Sequence, residues 1–109
     1  MNLYIGNQIK EININDENVE ISDSIIERIY NCRNLIETDT KSFLNSNPYK
    51  DCEVCIENTK NIITMFEYIL NEDCVNKLFE QDELDDIRLC VKLAKKALSL
   101  NIGLVSIGD

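Results

Sequence analysis

The sequence predicts an α+β fold that is predominantly helical, with a small N-terminal antiparallel β-hairpin or sheet packed on a bundle of three long helices plus one short helix. Three observations lead there. Apolar and polar residues alternate only over the first 21 positions. From residue 22 onward, apolar residues recur at spacings of three and four, the helical period. Strand-like and helix-like segments are segregated along the chain, which separates α+β from α/β. The 109 residues, with 28% charged, three Gly and one Pro, suit one globular domain over 1–109, divided into a β-rich segment 1–21, a helical body 22–100 and an apolar tail 101–109.

In the first segment Leu3, Ile5, Ile9, Ile12, Ile14, Val19 and Ile21 are separated mostly by polar residues. Alternation with β-branched residues is the half-buried strand signature, and Gly6-Asn7 and Asn15-Asp16-Glu17-Asn18 supply turn material. Strands are expected near 2–5, 8–14 and 18–21. Ser24 followed by Glu27 is a capping box, with Ser22 as an alternative cap. Ile25, Ile29, Cys32, Ile36 and Phe43 then share one arc and predict a helix near 23–45, its middle loosened by the polar run 37–42.

Asn45-Ser46-Asn47-Pro48 stops that helix, and Asn47 as N-cap with Pro48 at the first position starts a second one. Cys52, Cys55, Thr59, Ile62, Phe66 and Ile69 form its apolar stripe, with Glu53, Glu57, Lys60 and Glu67 on the opposite face. A short helical element spans 73–80. Asp82 caps a last helix near 83–100, acidic in its first turn and basic later, the order the helix dipole favours. There Leu84, Ile87, Val91, Ala94 and Leu98 form one stripe, and Leu89, Leu93 and Leu100 a second. So wide an arc implies a helix covered on two sides. Leu89, Leu93 and Leu100, together with Val54, Met65 and Tyr68 outside the main stripe of the second helix, are therefore candidates for self-association. The tail 102–109 is β-prone and is expected either to add a strand to the hairpin or to dock in an interface.

Twenty acidic residues against eleven basic ones give a net charge of −9, a field that repels a nucleic-acid backbone. The chain has no His, which removes the commonest general base and metal ligand. A secretory pattern and a spanning apolar run are both missing, so no membrane partner and a cytoplasmic location are expected. Five cysteines, an odd number, read as free thiols serving as small hydrophobes.

Cys52-Glu53-Val54-Cys55 is the one motif with a named chemistry. Its redox form needs a thiol at a helix N-terminus, yet Asp51 and Glu53 flank Cys52 and negative neighbours raise a thiol pKa. A zinc site would need two further ligands from Cys32, Cys74 and Cys90, and no second C-x-x-C supplies them. Core packing is the expected role of these cysteines. Asp82, Glu83, Asp85 and Asp86 lack the ligand spacing and central Gly of a calcium loop. Ser-His and Cys-His pairs and Gly-rich phosphate loops do not occur. No catalytic residue, cofactor or metal is expected.

The charge map remains. Residues 71–86 hold seven carboxylates against one lysine, while 87–100 hold four cations and no acid. The leading expectation is that Glu72, Asp73, Glu80, Asp82, Glu83, Asp85 and Asp86 present one acidic face to a basic protein partner, such as a protein that handles nucleic acid. In size, charge and layout the chain is similar to phage and mobile-element accessory proteins, among them anti-defence inhibitors, immunity proteins, antitoxins and tail-assembly chaperones. That likeness implies a non-enzymatic inhibitor or escort. The alternatives are a homo-oligomeric assembly protein, a homodimer in the simplest case, and a protein that sequesters a small ligand at a dimer cleft.

Overall fold

Four strands drawn from three separate parts of the chain meet in one antiparallel sheet in the computed structural model, which describes residues 1–45 and 50–108. They are β1 (Asn2–Ile5), β2 (Asn18–Glu20), β3 (Cys52–Val54) and β4 (Leu104–Ile107), in the spatial order β2-β1-β4-β3. The tail therefore does add a strand to the N-terminal hairpin, and it takes a central place. Leu3 lies opposite Val19 on one side and Ser106 on the other, and Val54 lies opposite Leu104. The sheet is thus not wholly N-terminal, which corrects the expected layout.

Directly opposed residues point to the same face of a sheet, and successive residues to opposite faces. Leu3, Val54 and Leu104 share one face and join the buried cluster that the helices build. Ser106 shares that face, and its fully buried hydroxyl has no hydrogen-bond partner among the described residues. Tyr4 and Val105, also opposite one another, occupy the second face and are buried too. What covers them is the segment 6–17. Ile12 and Val105 crowd around Gly6, and the Tyr4 hydroxyl donates to the carbonyl of Ile14 (3.2 Å). Glu53 accepts the Ile9 N–H (2.8 Å), and Asn7 accepts the Gly103 N–H (3.1 Å).

The strand expected over 8–14 is accordingly absent. In its place a single 3-10 turn, Ile9–Glu11, sits within a strap laid across the sheet. Both edges of β1 are already paired, with β2 and β4, so this segment cannot pair beside β1 and crosses the face of the sheet instead.

On the helical side lie α1 (Asp23–Cys32), α2 (Lys41–Leu44), α3 (Ile56–Asn71), α4 (Asp73–Asn76) and α5 (Gln81–Ser99). Helix α3 packs on α5, and α5 packs on β1 and β2. Their apolar stripes meet in one cluster: Ile62, Met65, Phe66 and Ile69 of α3, Ile87, Cys90, Leu93, Ala94 and Ala97 of α5, and Ile25 and Ile29 of α1. Phe43 closes it, edge-on to Phe66 with ring centroids 5.4 Å apart. Only α3 and α5 are long, so the expected three long helices become two long ones, a shorter α1 and two single turns.

The helix expected over 23–45 breaks after Cys32. The polar run 37–42 has little to bury, and Asp39 restarts the helix by accepting the Lys41 N–H (2.8 Å) and the Ser42 hydroxyl (2.6 Å). Ser22, the alternative cap, is the one used, accepting from the N–H of Ile25. The second helix starts at Ile56, with Cys55 as its N-cap. The helix start expected at Asn47 and Pro48 lies outside the described residues. Helix α5 begins with Glu80 as N-cap, two residues before the expected Asp82. Its far end is a Schellman turn: the Asn101 N–H bonds to Leu98 O, the Ile102 N–H bonds to Ala97 O, and Asn101 takes φ 58°. This turn feeds the chain into β4.

Candidate functional site

The carboxylates of 72–86 cluster where helices begin, because exposed amide N–H groups and the dipole favour negative charge there. Glu72 and Asp73 stand at the junction of α3 and α4, Glu80 caps α5, and Asp82, Asp85 and Asp86 follow in its first turns. Glu72, Asp73, Glu80, Asp82 and Asp85 are exposed, and Asp86 is half-buried. Asp85 pairs with Arg88 at 2.9 Å, and Glu80 lies 4.0 Å from Arg28. Among the described residues no cation pairs with Glu72, Asp73, Asp82 or Asp86.

Spacings of three and four put Asp82, Asp85, Asp86 and Leu89 on one face of α5. Asp86 and Leu89 border a hollow of about 380 Å³ against the edge strand β2, where Glu20 and Val19 complete its rim. Leu89 is 51% exposed in that setting. The acidic face thus runs from α5 onto the sheet edge and surrounds an apolar side chain. Glu20 was outside the acidic set read from the sequence, since its approach to Asp86 spans more than sixty residues of chain.

Glu83 does not belong to that face. Only 5% exposed, it accepts from the Ser24 hydroxyl (2.8 Å), Arg28 Nε (2.7 Å) and the Glu80 N–H (2.8 Å). Burial alone raises its pKa, but the Glu80 N–H, Ser24 and Arg28 outweigh that and hold it below the ordinary glutamate value. It ties α1 to the start of α5. Arg28, whose Nη1 also donates to Leu78 O (3.1 Å), is the partner that sequence reasoning missed; nothing local signals a contact 55 residues away.

The six residues expected to mediate self-association separate by burial into three groups. Val54, Met65 and Leu93 are buried within the chain's own core, so they present no surface; of the second stripe of α5 only Leu93 is covered. Tyr68 is half-buried. Leu89 and Leu100 are exposed.

Cys52 opens β3 and Cys55 caps α3, its sulfur accepting the Asn58 N–H at 3.4 Å. Three residues of extended backbone hold their Cα atoms about 10 Å apart, beyond the roughly 7 Å a disulfide tolerates. The expectation that Cys52 sits a turn inside a helix is corrected with it. Cys32 and Cys90 are buried, and Cys55 and Cys74 exposed. Burial, with Asp86 adding to it, pushes the Cys90 thiol up to about 12. Among the described residues no three His, Cys, Asp or Glu side chains are grouped to hold a metal ion, and no helix is long and apolar enough to cross a membrane.

Compared with protein-family models, with curated proteins and with solved structures, the chain matches none.

Proposed function

We propose that this chain is a small acidic, non-enzymatic binding module that blocks or escorts a basic protein, of the kind that handles nucleic acid. The observation that carries the reading is the α5 face: Asp82, Asp85 and Asp86 beside an exposed Leu89, with Glu20 across the hollow. Asp82 and Asp86, which no cation pairs among the described residues, leave their field for an incoming partner, and such complementarity raises association rates and rejects like-charged competitors. Leu89 adds what charge alone lacks. An apolar anchor inside a polar rim is the pattern of an interface hot spot. A basic groove that normally follows phosphates meets both requirements, through its cations and the aliphatic stems that carry them.

The test is capture of a basic protein at low salt, followed by measured association rates. Charge reversal at Asp82, Asp85 and Asp86 together should slow association by about tenfold or more and flatten its salt dependence, since steering charges act mainly on the on-rate. Glu57→Lys, on α3, should leave both unchanged. If the triple variant associates with the same partner as fast, and with the same salt dependence, the proposal fails.

A further inference from the structure

The break after α1 opens a cleft of about 790 Å³ between α1 and α2, within the roughly 300–1,000 Å³ of small-molecule sites. Ile26 and Leu44 give it apolar walls. On the α1 side the Tyr30 residue is 53% exposed, and the Arg33 guanidinium lies 4.0 Å from the centre of its ring. Arg33 Nη1 donates to Tyr30 O at 2.6 Å. Lys41 enters from α2.

Neither cation is paired with a carboxylate among the described residues, whereas Arg28, Arg88, Lys95 and Lys96 all are. Asn31, Asn34 and Asn45 also line the cleft, and their side-chain amides have no hydrogen-bond partner among the described residues. Among the residues that line the cleft, Arg33 and Lys41 stand against one carboxylate, Glu27, a cationic balance against the acidic one of the whole chain. One cleft thus gathers two cations that form no salt bridge among the described residues, one carboxylate, Glu27, an aromatic ring that Arg33 stacks on, and three asparagines.

Each feature selects a ligand property. Arg and Lys favour a phosphate, Arg through its planar set of donors. The Tyr ring favours a flat partner, as in base–aromatic stacking. An Asn amide offers a donor and an acceptor side by side, the pattern that matches a purine edge. We propose that the α1–α2 cleft binds a small planar anion of the mononucleotide class, its ring against Tyr30 and its phosphate held by Arg33 and Lys41. A nucleic-acid polymer fits poorly, because its further phosphates would run onto an acidic surface. A basic peptide is repelled by the same two cations, so this site is separate from the α5 face and stands or falls independently of it.

The experiment is a titration of the ¹⁵N-labelled chain with adenosine monophosphate, with inorganic phosphate, adenosine and a hexaglutamate peptide as parallel probes. The expected result is saturable amide shifts confined to residues 26–34 and 40–45, with the monophosphate binding more tightly than the other three. Arg33→Met and Tyr30→Leu should each weaken it by about tenfold or more, and Lys41→Gln should weaken it while leaving the melting curve unchanged. Glu57→Gln should have no effect. Four results overturn the proposal: no saturable shift up to about 5 mM, shifts centred elsewhere, phosphate alone or the acidic peptide binding as tightly as the monophosphate, or full affinity in folded Arg33→Met and Lys41→Gln variants.

Discussion

Glu83 shows how one buried carboxylate is kept ionised. Its folded pKa is lowered, so over the acid range the unfolded chain binds more protons at this position than the folded one. The stability it contributes is therefore complete above the ordinary glutamate value of 4.5 and is lost as pH falls through the lowered folded value. Glu83→Gln should cost about 1–3 kcal/mol in chemical denaturation at pH 7, a charged buried hydrogen-bonded network being at stake, and the gap should narrow at acidic pH. A gap that stays constant from pH 7 to pH 3 would refute the role of the charge. The cysteines give a second residue-scale expectation. Mass spectrometry during thiol labelling should show Cys55 and Cys74 modified first and Cys52 later, with Cys32 and Cys90 reacting only when the chain unfolds. Mild oxidation should not join Cys52 to Cys55 within the native fold. The five thiols were readable as free from the missing secretory pattern and their place on apolar stripes, and the carboxylates as surface charge from their density. What composition does not contain is which carboxylate goes inside. Glu83 looks like its neighbours until Arg28 and Ser24 arrive from another helix.

Elements were legible where the local pattern is long. The stripes of α3 and α5 run for four turns or more, and the structure keeps them. Where a pattern is short, distant pairing decides. Cys52, Cys55 and Thr59 continue a helical spacing, yet 52–54 becomes a strand because β4 offers it an unpaired edge. Ile9, Ile12 and Ile14 read as a strand, but β1 has no edge left for them, and they line a strap instead. The turn at the end of α5 is similar in kind, since its purpose is to aim the chain at β1. Asn101 there has φ 58°, a region that Gly occupies without a Cβ penalty. Asn101→Gly should therefore be neutral to stabilising, by up to about 1 kcal/mol, in thermal or denaturant melts. Asn101→Val should destabilise clearly, and equal melting of the two variants would contradict the left-handed turn.

At the scale of the whole molecule, burying Val54, Met65 and Leu93 changes what the surface has to offer. The apolar positions left on α5, Leu89 and Leu100, lie eleven residues apart, about 16 Å along a helix. Two separated leucines do not make the contiguous patch that a stable dimer needs, and the net charge of −9 opposes close approach of two copies. Light scattering across a salt series should give the mass of a single chain at micromolar concentration. A stable, salt-insensitive dimer would revive the assembly reading and move the search to an inter-subunit site.

The central position of β4 also governs how the protein is made. The sheet joins residues 2–5 to residues 104–107, so a nascent chain carries β1 through the synthesis of everything between them before its principal neighbour exists. Until residues 104–107 clear the ribosome, β1 and β3 each hold an open backbone edge where β4 will pair. Translation that stops before Leu104 leaves a chain without the strand that joins its two halves. Emergence of residues 104–107, rather than of any earlier segment, is the event that completes this sheet.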